Sequence, residues 1–270
     1  MAFYTGDLPM KGSIKLLSYY KLYGTNKIVA RTKGGPSKEK IQNSPKFATL
    51  RKHQQEWKGC VLFSKSLKKA LGYVFDLADY NLSPVWNGLA KNIIKMDEEH
   101  PVGERSLMVS AFKQELEGFQ LNRNYKFNAL IGIQPQLVLD TETLYASATF
   151  EPFSTAQQLL NIRKLPYFRF ILSVGMVSDS YFSGGRDPIY LLHHSSLNGA
   201  NKCVNTEWLS TNDRLPELKL EIQFDENEAK YKRTQVTHLL SLGIEFGAVG
   251  FGGKIEAVKH AGAGRIMLAR

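Results

Sequence analysis

The hydrophobic pattern of this sequence changes period near residue 123, and that change limits the folds open to it. From Ser44 up to it, apolar residues recur at helical spacing; after it they fall in short runs divided by Gly, Pro, Asn, Asp and Ser. The runs are Ala129–Asp140, Glu142–Phe153, Tyr167–Val177, Pro188–His194, Asn201–Leu209, Pro216–Phe224 and Thr237–Phe251, with Ile255–His260 and Arg265–Ala269 continuing them. No crossover helix separates these runs, so the strands should pair antiparallel. Phe170–Val177 has the composition of a strand buried on both faces or of a short buried helix. The expected fold class is α+β: a basic N-terminal β-hairpin arm and small helical region, then an antiparallel β-sandwich, Ig-like or jelly-roll-like. The expected divisions are 1–43 for the arm and linker, 44–122 for the helical region and 123–270 for the sandwich.

Charge divides the chain differently. Met1–Gly72 hold 15 Lys and Arg against 3 Asp and Glu, whereas the remaining 198 residues hold 20 against 22. The whole formal charge of +10 therefore comes from the first quarter. A segment so basic is built to face something acidic: nucleic acid, an anionic surface or an acidic protein face.

Within that segment, Ser13–Tyr23 and Lys27–Arg31 read as two strands turning at Gly24-Thr25-Asn26, a β-hairpin. Two strands alone are marginal in water, so their side chains need a surface to lie on. Thr32–Asn43, with Gly34-Gly35-Pro36, reads as a draped basic linker. Ser44-Pro45 opens a helix with Phe47, Leu50 and Trp57 on one stripe and Gly59 at its end. A second helix follows from Val61, placing Phe63, Leu67, Ala70, Leu71, Val74 and Phe75 together. Ser83-Pro84 opens a third, with Val85, Leu89, Ile93 and Met96 inward, and 104–118 fits a fourth helix or a strand leading into one. Gln120–Asn128 reads as a packed corner.

The chemistry-bearing residues are sparse. Gly243–Ile255 is glycine-rich but is no phosphate loop: Ala248 stands where a glycine is required and Ile255 follows Lys254 in place of Ser or Thr. It reads as turns and close strand packing. His193 and His194, adjacent on a strand, would point to opposite faces, one partly buried and one exposed, so no metal is expected there or at His53, His100, His238 or His260. Asp97-Glu98-Glu99-His100 reads as a solvated helix exit more readily than as a general-base cluster, and Ser183–Pro188 as a surface turn more readily than as an anion nest. Cys60 and Cys203 make neither a disulfide framework nor a metal set, and both are expected to be reduced. No run approaches the roughly 18 apolar residues of a membrane helix, and Met1–Asp7 lacks the pattern of a secretion signal. Cytoplasmic synthesis without Sec export is therefore expected, without membrane insertion, catalytic residues, cofactor or small-molecule substrate.

The binding residues expected are Lys11, Lys15, Tyr19, Tyr20, Lys21, Tyr23, Lys27, Arg31, Lys33, Lys38, Lys40, Lys46, Arg51 and Lys52. Interleaved lysines and tyrosines suit phosphate contact with base stacking, and the excess of Lys over Arg favours delocalised attraction over base readout.

The run Lys27-Ile-Val-Ala-Arg31-Thr-Lys-Gly-Gly-Pro-Ser-Lys-Glu-Lys-Ile41, followed by Ser44-Pro-Lys-Phe47 and Arg51, resembles the N-terminal signature of an uncharacterised protein family of Bacteroidota. The resemblance is most specific over about residues 12–60 and implies a hairpin, a helical region and a β-rich C-terminal half. It implies no activity and no catalytic residues.

These readings lead to a non-enzymatic structural or interaction protein whose arm docks in a larger protein complex or a self-assembly, such as a virion, prophage or other bacterial assembly. The alternative is a sequence-independent nucleic-acid-binding protein using residues 11–69. A carbohydrate-binding or hydrolytic sandwich, suggested by Trp208, lacks a pair of acids.

Overall fold

Residues 48–116 are mainly helical and residues 136–269 mainly extended, as the change of period predicts. The computed structural model describes residues 2–4, 11–22, 25–32, 34–185, 189–224 and 234–270. The chain forms two units, Met1–Arg51 and Lys52–Arg270.

The first unit carries an antiparallel sheet in the order β1-β4-β3-β2, from β1 (Ala2–Tyr4), β2 (Gly12–Ile14), β3 (Leu17–Lys21) and β4 (Ile28–Thr32). The predicted hairpin is β3–β4, closed by Leu22 N–H donating to the Lys27 carbonyl at 2.9 Å. Its predicted first strand is broken at Lys15, whose φ of 48° turns the chain into a second hairpin, β2–β3. The predicted linker is not wholly draped either, since it contains the short helix α1 (Lys38–Asn43). Ser37 starts α1 by accepting the Lys40 N–H at 3.2 Å, and Glu39 lies in its first turn, where an acidic side chain suits the helix dipole.

The long helix α2 (Ala48–Leu71) passes through Gly59, which does not end it. A Cβ on Gly59 would lie 2.7 Å from the Tyr190 ring, so this glycine serves a close approach between helix and strand. The first predicted stripe is not the buried one: Leu50 and Trp57 are exposed, and Glu56 and Cys60 face inward instead, while Phe63, Leu67, Ala70 and Leu71 of the second stripe are buried together as expected. A 3₁₀ segment (Gly72–Leu77) leads to α3 (Ser83–Lys95), whose inward residues are Trp86, Ala90, Ile93 and Ile94, with Val85 and Met96 exposed. Residues 109–116 are 3₁₀, and the short α4 (Phe127–Leu130) follows. The corner between them is packed: buried Asn122 donates to the Leu77 carbonyl at 2.6 Å and accepts the Gly264 N–H at 2.9 Å.

The β-rich part comprises β5 (Gln136–Asp140), β6 (Tyr145–Phe150), β7 (Phe153–Ser154), the short α5 (Thr155–Gln158), β8 (Tyr167–Ser178), β9 (Ser180–Ser183), β10 (Ile189–Leu192), β11 (Asn201–Asn205), β12 (Leu209–Ser210), β13 (Arg214–Leu215), β14 (Leu218–Gln223), β15 (Val236–Val249) and β16 (Ile255–Ala269). The central sheet runs β11-β8-β15-β16, with β12 also on β8, and a three-stranded sheet runs β14-β6-β5. Every strand pair among the described residues is antiparallel. The fold is thus α+β, with no closed barrel among the described residues.

Strand periodicity explains the layering. Phe168, Phe170, Leu172, Val174 and Met176 alternate along β8 into one core with Ala146, Ala148, Phe150, Leu220 and Ile222 of the smaller sheet. Ile171 and Val177 point the other way, into a second core with Phe63, Leu67, Leu71, Val74 and Trp86. Strand β8 is therefore buried on both faces, one of the two readings its composition left open. The glycine-rich run closes the β15–β16 hairpin: Gly250 donates to the Lys254 carbonyl at 2.7 Å, with Gly252 and Gly253 at positive φ. This is the turn predicted there, and Phe251 at its tip is fully exposed.

Cys60 and Cys203 are free thiols. Burial pushes the Cys60 thiol up to about 11, so it should stay protonated and unreactive at pH 8. In native protein, mass spectrometry after thiol alkylation should show Cys60 unlabelled, with full labelling once denaturant is added. Rapid labelling of native Cys60 would contradict its place in the helical core.

Candidate functional site

In the first unit the strand register sorts the predicted binding residues between two faces. Tyr19 pairs with Ala30 and Tyr20 with Val29, so the adjacent tyrosines lie on opposite faces. Tyr20 shares its face with Arg31, whose guanidinium lies 5.4 Å from the ring centre. Lys21 shares the Tyr19 face with Leu17. Lys15 sits at the β2–β3 turn beside Leu16, Lys11 precedes β2, and Lys27 precedes β4. Lys38 and Lys40 lie on α1, and Lys46 lies in the 3₁₀ turn after it. Arg51 is engaged locally, donating to the Ile41 and Ser44 carbonyls at 2.7 and 2.9 Å and so closing the end of α1. Lys52 belongs to the second unit, where its aliphatic stem lies against Gly103. Tyr23 and Lys33 lie outside the described residues.

The tip of the β2–β3 hairpin is apolar as well as basic. Ile14 and Leu16 are 61% and 73% exposed, and Leu17 and Leu22 are exposed too.

The second unit holds a cleft of about 750 Å³ between the end of α3, the 3₁₀ segment 109–116 and the β9–β10 region. Met96, Met108 and Phe112 supply apolar lining, and Asp97, Glu98, Glu99 and His100 supply an acidic edge. Asp97 is tightly held. It accepts the Ser106, Glu99 and His100 N–H groups at 2.7, 3.0 and 3.2 Å, and its carboxylate lies 2.8 Å from His100 Nδ1. Burial opposes its charged form, but these bonds outweigh burial and hold its carboxyl below the usual range. Among the described residues no nucleophile is hydrogen-bonded to the other ring nitrogen of His100.

Across the cleft the Tyr181 and His193 rings sit 4.7 Å apart. His193 and His194 follow β10 in a turn, not a strand, and both are half-buried. The expectation of one partly buried and one exposed ring depended on strand geometry, and it is the exposed ring that the structure does not show. Asp179 is fully buried and accepts the Ser110 N–H at 2.8 Å and the Ser110 hydroxyl. Burial dominates there and raises its pKa despite these bonds.

A second charged group escaped the sequence reading. Glu56, wholly buried on α2, accepts from the Lys91 ammonium and from the Gly103 N–H at 2.9 Å, with Arg105 Nε 3.5 Å away. Burial opposes its charge, and these cationic and backbone partners overcome it, lowering its pKa. The signal was present: Glu56, Cys60, Phe63 and Leu67 share one helical stripe, so an acid there had to be buried and paired.

The other candidates are occupied locally. Trp208 lies under the Arg169 guanidinium, 4.6 Å from the ring centre, and against Gly247. Arg186, Asp187 and Pro188 of the predicted surface turn lie outside the described residues. Among the described residues no three His, Cys, Asp or Glu side chains converge on a metal position, and no helix is long and apolar enough to cross a membrane.

Comparison with known proteins gave no matching family, curated protein or solved structure.

Proposed function

We propose that this chain is a non-enzymatic structural or interaction protein that docks through its basic N-terminal arm in a larger assembly, as a virion, prophage or other bacterial assembly component does. The observation that supports this reading most is the β2–β3 hairpin tip, where exposed Ile14 and Leu16 stand beside Lys11 and Lys15. An apolar ribbon with charged flanks suits docking onto a protein face, which supplies the cover that a small sheet lacks. The two sheets sharing one core support a sandwich reading of the β-rich part.

Light scattering coupled to size-exclusion chromatography tests the docking. Full-length protein should be larger than a monomer, and a chain lacking residues 1–43 should be monomeric with an unchanged far-ultraviolet spectrum for its helical and β-rich parts. Assembly that survives this deletion would overturn the reading.

The nucleic-acid alternative draws on the same exposed lysines, but the strand register weakens it. A single strand tracking one face could stack on Tyr19 or on Tyr20, not on both. It predicts an affinity that falls steeply with salt, whereas docking through apolar side chains predicts a shallow dependence. A titration against single-stranded DNA at two salt concentrations separates them. Weak binding with a shallow slope is the expected result.

A further inference from the structure

The arm needs an acceptor, and the second unit contains a surface of the opposite character. The cleft beside α3 has apolar lining from Met96, Met108 and Phe112, and its edge carries Glu98 and Glu99. Met96 is 59% exposed, a large apolar side chain standing open at the mouth. Among the described residues neither Glu98 nor Glu99 has a side-chain hydrogen bond or ion pair. The edge therefore offers charge that the fold leaves unused, over a floor that water solvates poorly.

The hairpin tip reverses the charge and keeps the apolar character: Lys15 stands between Ile14 and Leu16 at the turn, with Leu17 after it and Lys11 just before β2. Clefts of about 300–1,000 Å³ hold groups the size of a two-residue turn, and methionine lining adapts to the side chain it meets. Opposite charge at the rim steers the encounter and fixes its register.

We propose that this cleft is the acceptor for the β2–β3 hairpin of a second copy of the chain, with Leu16 against the Met96 and Phe112 side and Lys15 facing Glu98 and Glu99. This inference rests on the arm-docking reading and adds the acceptor to it. The contact is head-to-tail, since tip and cleft are different surfaces. Each copy then offers one tip and one cleft, and the chain grows into a ring or a filament.

A complementation experiment with full-length protein tests this. One variant changes the tip (K15E with L16S) and the other changes the rim (E98K with E99K); all four positions lie at the surface, so neither should disturb folding. Circular dichroism melting curves of both, matched to the parent, establish that. By sedimentation velocity each variant alone should self-associate at least about tenfold more weakly than the parent. An equimolar mixture should form a 1:1 dimer and stop there, because only one intact tip can meet one intact cleft.

If the tip variant dissociates while the rim variant assembles like the parent, the cleft is not the acceptor, although arm docking stands. Assembly unaffected by either pair would overturn both readings. A parent protein that stays monomeric at every concentration would overturn the second-copy acceptor.

Discussion

Gly175→Ala is expected to lower the stability of the second unit by about 3 kcal/mol or more, the upper end of what overpacking a core costs. A Cβ at this position would lie 1.8 Å from the Ala70 carbonyl oxygen and 2.5 Å from its carbon. Both are backbone atoms in the last turn of α2, so no rotamer change relieves the clash. The helix would have to lift from the strand, but that turn is held at several points. Asn201 donates to the Lys69 carbonyl at 2.9 Å and Asn198 to the Ser66 hydroxyl at 2.6 Å. Gly72, at φ 52°, ends the helix where a Cβ would meet Asn201 and Cys203. Lifting the turn would also open the core around Leu67, Leu71 and Ile171. At roughly 2–4 °C per kcal/mol for a unit of this size, the thermal midpoint should fall by about 6–12 °C. Gly88→Ala is the control. Gly88 lies within α3 with nothing near its missing Cβ, so alanine there should stabilise by about 1 kcal/mol. Equal midpoints for the two variants would refute the close helix-on-strand contact.

That contact also marks the limit of what the sequence reveals. The change of period separates helices from strands because burial on one face imposes 3.6 and burial on alternate sides imposes 2. The β3–β4 hairpin and the glycine turn at 250–253 are legible for the same local reason, whereas Phe170–Val177 reads equally as a strand buried on both faces or a short buried helix until its partners are seen. What depends on a partner distant in sequence is not legible. Gly59 looks like a helix stop until Tyr190 is seen against it, and nothing in the run Phe170–Val177 points to Ala70 lying against Gly175. Asp97–His100 reads as a solvated helix exit, yet the Asp97 side chain is nearly buried and tied to Ser106, and Tyr181 and His193 reach the same cleft from about 80 to 95 residues further on, with no motif to link them. The tyrosine-lysine interleaving of the arm is visible in sequence, while the one-residue offset that sends Tyr19 and Tyr20 to opposite faces needs the pairing register.

Glu56→Ala should be comparably costly, for an electrostatic reason in place of a steric one. Removing one member of a buried ion pair typically costs about 3–5 kcal/mol, since the partner charge remains without compensation. Here the partners Lys91 and Arg105 keep 21% and 17% of their side-chain surface in water, so a loss near about 3 kcal/mol is expected. The carboxylate joins α2 to α3 through Lys91 and to the loop after α3 through the Gly103 N–H. Glu56→Gln keeps an acceptor for that N–H and should lose less. The double variant Glu56→Met with Lys91→Met should recover part of the loss, because neither charge is then stranded. Acidity gives an independent signature. The folded pKa of Glu56 lies below its unfolded value of about 4.3, so the unfolded chain binds the proton first. Its contribution is therefore fully present above about pH 4.3 and is lost as pH falls through the lower folded value. Urea denaturation of parent and Glu56→Gln at a series of pH values reads this directly. Their difference in stability should be constant from neutral pH down to about 5 and should shrink below about 4. A difference that grew on acidification would mean that burial, not the Lys91 and Gly103 contacts, governs this carboxylate.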